Sequence, residues 1–156
     1  MNVRIYPVES VDDVALARTL LEEYAATLDH DLGFQDFAEE LTTLPGAYAP
    51  PRGRFLLARV EEDGGGCVAL RPLDGERCEM KRLYVRPACR RLGLGGQLVA
   101  AILDEARQIG YRRMCLDTLP SMKAALALYH AFGFRPTAAY YHNPIAGAVF
   151  LERELE

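Results

Sequence analysis

Residues 79–97 read EMKRLYVRPACRRLGLGGQ, and this stretch carries the strongest structural signal in the chain. Residues 76–85 predict a strand, which Pro87 ends. Residues 93–109 then place apolar side chains on one face of a predicted amphipathic helix. The three glycines of the stretch therefore lie in a turn that leads from a strand into a helix.

The glycine-rich turn has the features of an anion-binding loop. Gly93, Gly95 and Gly96 allow a ligand to approach the backbone closely, and the first helical turn presents free N–H groups, an arrangement typical of phosphate binding. Residues 80–103 contain no Asp or Glu. The same pattern also fits a plain turn with solvated arginines. The five cations of residues 80–103 are Lys81, Arg82, Arg86, Arg90 and Arg91.

The common nucleotide-binding motifs are absent from the sequence. It contains neither G-x-x-x-x-G-K-[ST] nor G-x-G-x-x-G. The glycine-rich turn therefore indicates another kind of phosphate ligand.

Upstream of this stretch, the chain predicts one strand and two helices. Residues 2–8 read as a strand, and Ser10 with Asp13 forms the pattern of a capping box at the start of a helix. Apolar residues at helical spacing predict helices over 14–28 and 34–44.

The remaining elements predict a mixed sheet. Residues 54–62 and 67–73 read as strands, with a hairpin turn at 63–66. Further along lie a strand around 114–116, a helix over 122–132 and two strands over 134–141 and 147–154. The order β-α-α-β-β-β-α-β-α-β-β predicts an α/β fold, with helices on both faces of a mixed sheet, in a single domain, residues 1–156.

Composition excludes several functional classes. The 156 residues are 50% hydrophobic and 26% charged, which is typical of a globular protein and not of a disordered one. No apolar stretch approaches the ~20 residues that span a bilayer, and no signal peptide is apparent, so we expect a cytoplasmic protein with no membrane contact. The net charge of −4 argues against nucleic-acid binding.

The cysteine pattern gives no support for a metal site. The four cysteines include no C-x-x-C pair. We expect reduced cysteines that mostly fill the core, and no metal ion.

Three linked motifs resemble those of a known family. Arg90-x-x-Gly93-x-Gly95 is similar to the [Q/R]-x-x-G-x-[G/A] signature of the GNAT superfamily, the acyl-CoA-dependent N-acyltransferases. Residues 79–87 resemble the strand before that signature, and residues 125–134 resemble the later helix and the turn after it. The resemblance implies a splayed sheet and an N-acetyltransferase that uses acetyl-CoA as acyl donor.

The resemblance also assigns residues to acetyl-CoA. The backbone N–H groups of residues 92–97 would hold the pyrophosphate, with Arg90 beside it, and the pantetheine arm would pair with residues 83–85. The residues implied are Leu83, Tyr84, Val85, Arg90, Arg91, Leu92, Gly93, Leu94, Gly95, Gly96 and Gln97.

Two residues are candidates for acid and base catalysis. Tyr129 matches the family's helix motif and would donate a proton to the departing thiolate. Spacing alone would favour a core tyrosine, and the resemblance to the family's helix motif reverses that preference. Glu79 would accept the proton of the attacking amine, unless it is an exposed strand carboxylate. His142 and His30 are further candidates for the base. A covalent route through Cys115 or Cys89 is less favoured than direct transfer.

The acceptor is left open by the sequence. Residues 19–51 contain seven acids and no Lys or Arg, which would suit a cationic amine or would simply form a solvated helix face. The acceptor side would be lined by residues 24–37 and 140–144. A small amine, an amino acid, a peptide, or a protein lysine or N-terminus all remain, as does a non-catalytic acyl-CoA sensor. Assembly into a homodimer is also left open.

Overall fold

The computed structural model describes residues 2–28 and 32–156, and of Phe34 only the backbone. Over these ranges the predicted order of strands and helices is confirmed. The strands are β1 (Val3–Pro7), β2 (Arg54–Val60), β3 (Asp63–Pro72), β4 (Arg77–Val85), β5 (Arg113–Thr118), β6 (Arg135–Pro136) and β7 (Val149–Glu154). The α-helices are α1 (Val11–Ala26), α2 (Phe37–Thr43), α3 (Leu94–Ile109) and α4 (Lys123–Ala131). A short 3-10 helix, Gly33–Gln35, precedes α2.

The strands form one mixed sheet in the order β1-β2-β3-β4-β5-β7-β6. Neighbours are antiparallel except β4 and β5, which are parallel. Buried side chains of α1, such as Leu20 and Leu21, pack on one face, and those of α3, such as Leu98 and Ile102, pack on the other. The predicted layers, with helices on both faces, are therefore confirmed.

The capping box at the start of α1 is also confirmed. The Ser10 hydroxyl accepts from the Asp13 N–H at 3.0 Å, and an Asp13 carboxylate oxygen accepts from the Ser10 N–H at 3.0 Å. Two N–H groups at the helix start are thus satisfied locally.

The predicted hairpin turn at 63–66 is wrong. Its glycines lie inside β3, and the chain reverses at residues 61–62. A Cβ on Gly66 would lie 2.5 Å from the Tyr84 carbonyl oxygen, and one on Gly65 would lie 3.0 Å from a methyl of Leu94. The glycines are needed because β4 and the start of α3 approach β3 closely, not because the chain turns there.

The strand predicted over 134–141 is much shorter in the structure. β6 contains two residues, and the chain then leaves the sheet. Tyr140 instead donates to Glu79 of β4 at 2.5 Å, and Tyr141 donates to Asp117 of β5. This segment therefore folds over the sheet as a loop that is fixed by side-chain hydrogen bonds.

Among the described helices, none is long and apolar enough to cross a membrane. In the same ranges no group of three or more His, Cys, Asp or Glu side chains is placed to hold a metal ion.

Candidate active site

The sheet opens between β4 and β5. Within the described ranges, three residue pairs join these strands, and the last of them is Glu79 with Cys115. β4 continues to Val85 and β5 to Thr118, so their later halves diverge. The splayed sheet is therefore present, and the backbone groups that face the gap need partners from a ligand or from water.

A β-bulge in β4 lies at this opening. Cys67 of β3 pairs with Tyr84 and Ala69 pairs with Lys81, so Arg82 and Leu83 together face one residue of β3. Arg82 takes a positive φ of 63°. Bulges change the direction of neighbouring side chains and backbone groups and occur often beside active sites.

Two adjacent cavities that share lining residues occupy the opening. A narrow cleft of about 70 Å³ lies between the diverging strands, and a groove of about 640 Å³ runs from it along the glycine-rich turn. Both are lined by Tyr24, Leu83, Met122 and Ala125. A long ligand in the groove could therefore extend one end into the cleft.

The groove collects most of the residues that the resemblance assigned to acetyl-CoA. Nine of the eleven line it, namely Leu83, Tyr84, Val85, Arg90, Arg91, Gly93, Leu94, Gly95 and Gly96. Leu92 and Gln97 do not line it. The Gln97 N–H donates to the Gly93 carbonyl at 3.1 Å, so it is used within the helix and is not free for a phosphate.

The start of α3 presents free donors to the groove. Gly93 caps the helix with a positive φ of 75°, a conformation that glycine adopts without strain. The backbone N–H groups of residues 93–96 make no hydrogen bond to any residue that the structure describes. Donors at a helix N-terminus, together with the helix dipole, favour a phosphate.

Ion pairs with acidic residues neutralise part of the positive charge of residues 80–103. Arg82 forms two hydrogen bonds with Glu40, at 2.8 and 2.9 Å, and Arg86 pairs with Glu23 at 2.7 Å. Both acids come from the acid-rich segment 19–51. The remaining positive charge at the groove therefore lies mainly on Arg90, Arg91 and Lys123.

In the described part of the acid-rich segment 19–51, two of the acids form ion pairs that hold the fold together. Glu23 and Glu40 tie α1 and α2 to β4 through the two arginines. Glu22 and Glu39 are exposed. Asp29 and Asp31 lie outside the described residues, and so does His30.

Removing Glu40 is expected to destabilise the fold. The Arg82 side chain is 3% exposed and would lose its partner in a Glu40→Ala variant. Breaking a fully buried pair costs about 3–5 kcal/mol, and we expect about 2 kcal/mol here because Glu40 retains 14% exposure. Urea denaturation measures the loss. Glu39→Ala, at an exposed neighbour in the same helix, is the control, and an equal effect of both variants would contradict the expectation.

Tyr129 lies on α4 with its side chain in the narrow cleft. It is buried, its ring packs edge-on against Phe134, and its hydroxyl makes no hydrogen bond within the described ranges. Burial, together with the nearby Tyr24 and Asp117, raises the pKa of the hydroxyl, so it stays protonated at neutral pH. The tyrosine is both a core residue and a lining residue of the cleft.

Glu79 is buried and not exposed. It has no accessible surface, so the alternative of an exposed strand carboxylate is wrong. One oxygen accepts from Arg71 at 2.8 Å and lies 3.9 Å from the Lys81 ammonium, and the other accepts from Tyr140. Glu79 does not line the cleft, whereas Lys81, whose ammonium lies 3.9 Å from a Glu79 oxygen, does.

Sequence reasoning missed the carboxylate that does line the cleft. Asp117 stands near the end of β5, where a polar residue after the apolar run 114–116 is the only available signal. Its Oδ2 accepts from Tyr141 and, at 2.8 Å, from Asn143. Gln35 donates to Tyr141 at 3.1 Å. The predicted acceptor-side regions, 24–37 and 140–144, thus do contribute to the cleft.

The other candidates stand apart from the cleft. His142 is exposed and is not a lining residue. Cys115 is buried within the sheet, and burial raises the pKa of its thiol. Cys89 lines the groove beside Arg90 and does not line the cleft that contains Tyr129. All four cysteines are free, as expected.

Comparison with known proteins gives consistent results. The model of the acetyltransferase (GNAT) family matches residues 15–134. An uncharacterized N-acetyltransferase of Schizosaccharomyces pombe is 42% identical over 156 residues, which cover 99% of this chain and 96% of that protein.

Solved structures share the fold. An acetyltransferase from Streptococcus agalactiae superposes with a TM-score of 0.79 at 23% identity, covering 98% of each chain. A GNAT family acetyltransferase from Elizabethkingia anophelis, solved with acetyl-CoA bound, gives a TM-score of 0.71 at 26% identity and covers 99% of each chain.

Proposed function

Because the chain belongs to the GNAT acetyltransferase family, and is therefore an acyltransferase, we propose that it transfers the acetyl group of acetyl-CoA directly to a primary amine of a small molecule or peptide. The observation that carries the proposal is the joined groove and cleft, with free N–H groups at one end and Tyr129 at the other. We take residues 1–156 to act as one N-acetyltransferase domain.

The residues of the groove fit acetyl-CoA. Free N–H donors at the start of α3, with Arg90 and Arg91 beside them, suit a pyrophosphate. A Cβ on Gly95 would lie 3.3 Å from a methyl of Leu128, so the absence of a side chain keeps the groove open. The diverging edge of β4 offers N–H and C=O groups to the amides of a pantetheine arm.

The thioester supplies an activated acetyl group, and the chain's own residues handle the protons. The Tyr129 hydroxyl would donate to the sulfur as the C–S bond breaks. A backbone N–H at the β4 bulge would stabilise negative charge on the carbonyl oxygen.

The proton of the attacking amine needs an acceptor in the cleft. We assign this role to Asp117, which lines the cleft, because both oxygens of Glu79 are engaged by other residues. Glu79, predicted from the sequence as the base, would act from behind Lys81, whose ammonium it pairs with at 3.9 Å.

Two alternative functions differ from this proposal: a macromolecular acceptor and a sensor without catalysis. A protein lysine or N-terminus would have to enter the same narrow cleft. A non-catalytic acyl-CoA sensor would need the groove alone, and a buried, protonated tyrosine in the cleft favours catalysis over sensing.

The test is thiol release from acetyl-CoA in the presence of a panel of primary amines, amino acids and short peptides. We expect release above the rate without acceptor for at least one class, with the acetylated product seen by mass spectrometry. Tight acetyl-CoA binding with no transfer to any member of the panel would contradict the proposal and support the sensor.

A further inference from the structure

The narrow cleft contains a buried lysine that lacks a hydrogen bond. The Lys81 side chain is only 5% exposed, and its ammonium makes no hydrogen bond to a residue in the described ranges. The Glu79 oxygen near it, at 3.9 Å, already accepts from Arg71 at 2.8 Å. Burial lowers the pKa of Lys81, and Glu79 only partly opposes this. An anionic group in the cleft would satisfy the ammonium.

Gln35 adds an unsatisfied acceptor to the same cleft. Its Oε1 is buried and has no partner among the described residues, while its Nε2 donates to the Tyr141 hydroxyl at 3.1 Å. This orientation of the amide is fixed because the single Tyr141 proton goes to Asp117, so the Tyr141 oxygen must accept from Gln35. A buried acceptor without a donor is unfavourable, and a ligand N–H would relieve it.

Asp117 provides an anion beside that acceptor. Both of its hydrogen bonds, from Tyr141 and Asn143, end on Oδ2. No residue in the described part of the chain donates to Oδ1. Asp117, Gln35 and Lys81 all line the cleft, so it presents two acceptors and one cation besides Arg82, whose charge is paired with Glu40.

We propose that the acceptor is an amino acid zwitterion, whose ammonium group binds Asp117 and the Gln35 Oε1 and whose carboxylate faces Lys81. This inference rests on the proposed function and names its substrate class. A simple cationic amine would leave the Lys81 ammonium without a hydrogen bond and would be repelled by it. A carboxylate without an amine would leave the Asp117 Oδ1 and the Gln35 Oε1 unsatisfied. A zwitterion satisfies all three groups.

The test compares each of several L-amino acids, such as alanine, leucine and phenylalanine, with its primary amide as acceptor. The amide keeps the amine and side chain and removes only the carboxylate charge. We expect kcat/KM for the amino acids to exceed that for the amides at least tenfold. In Lys81→Met this preference should disappear, and in Lys81→Arg, which keeps the charge, part of it should return.

Asp117→Asn tests the ammonium end of the site. It should lower kcat/KM for amino acids and amides by similar factors, because both carry the amine. Asp104→Asn, at an exposed residue of α3, is the matched control and should change neither. Thermal stabilisation by the amino acids alone, without acetyl-CoA, gives a binding readout that is independent of turnover.

The outcomes separate the two proposals. If amides are acetylated as well as the amino acids, or if Lys81→Met lowers both equally, the zwitterion inference is overturned while the acetyltransferase proposal stands. If no amine is acetylated but amino acids still stabilise the protein more than their amides do, the transfer proposal fails and the binding site stands. Unchanged acetyl-CoA affinity in each variant confirms an intact fold.

Discussion

We expect the Tyr129→Phe variant to lose about 10²-fold in kcat while its affinity for acetyl-CoA changes only a few-fold. General acid catalysis contributes about 10²–10⁴-fold, and the proton of Tyr129 is needed only as the thiolate leaves. The lower end is expected because burial raises the pKa of the hydroxyl further above that of the leaving thiol, which weakens it as a donor. Steady-state kinetics and calorimetry with acetyl-CoA measure the two quantities separately.

The control for this variant is Tyr111→Phe. Tyr111 is also buried, but it lies outside the cleft and donates to the Arg52 carbonyl at 2.7 Å. Loss of this hydrogen bond in Tyr111→Phe should lower the free energy of unfolding and leave kcat near the parental value. Parental turnover by Tyr129→Phe, under conditions where chemistry limits the rate, would mean that Tyr129 is only a core residue.

A side chain at Gly95 is expected to block acetyl-CoA. Gly95 lies in the first turn of α3, and a Cβ there would face Leu128 at 3.3 Å and Val85 at 3.9 Å across the groove. In Gly95→Leu the side chain would fill this space. We expect affinity for CoA, measured by calorimetry, to fall about 100-fold, at the upper end of the effect of overpacking.

Folding should survive this change, because leucine favours a helix over glycine. Ala100→Leu adds similar bulk on the exposed face of α3 and should leave CoA affinity unchanged. Parental CoA affinity in Gly95→Leu would show that CoA binds elsewhere on the chain.

Local patterns in the sequence predicted most of the groove. The Ser10 capping box and the turn at residues 90–96 depend on neighbours within a few residues, so their form can be deduced from the sequence alone. The motif over residues 125–134 also places Tyr129 on a helix, and in the structure it lines the cleft; its role as the acid stays a prediction. Within the loop, Leu92 and Gln97 do not line the groove, and the Gln97 N–H already donates to the Gly93 carbonyl inside the helix.

Contacts between distant segments were not predictable in the same way. The glycines at 64–66 resemble a turn, but β4 and α3 require them inside a strand. Glu79 resembles a surface carboxylate, but Arg71 and Tyr140 enclose it. In both cases the deciding neighbours are brought close by the sheet and not by the sequence order.

The sequence alone thus determined the element order, the family motifs and the glycine-rich turn, since these depend on short-range spacing and backbone preferences. The tertiary structure alone decided the charges at the acceptor end. It paired Glu40 with Arg82 and Glu23 with Arg86, and placed the unsatisfied Gln35 Oε1 in the same cleft as Lys81 and Asp117. The physical reason is that the free energy of a charged or polar side chain depends on its partners and its burial, which only the folded chain fixes.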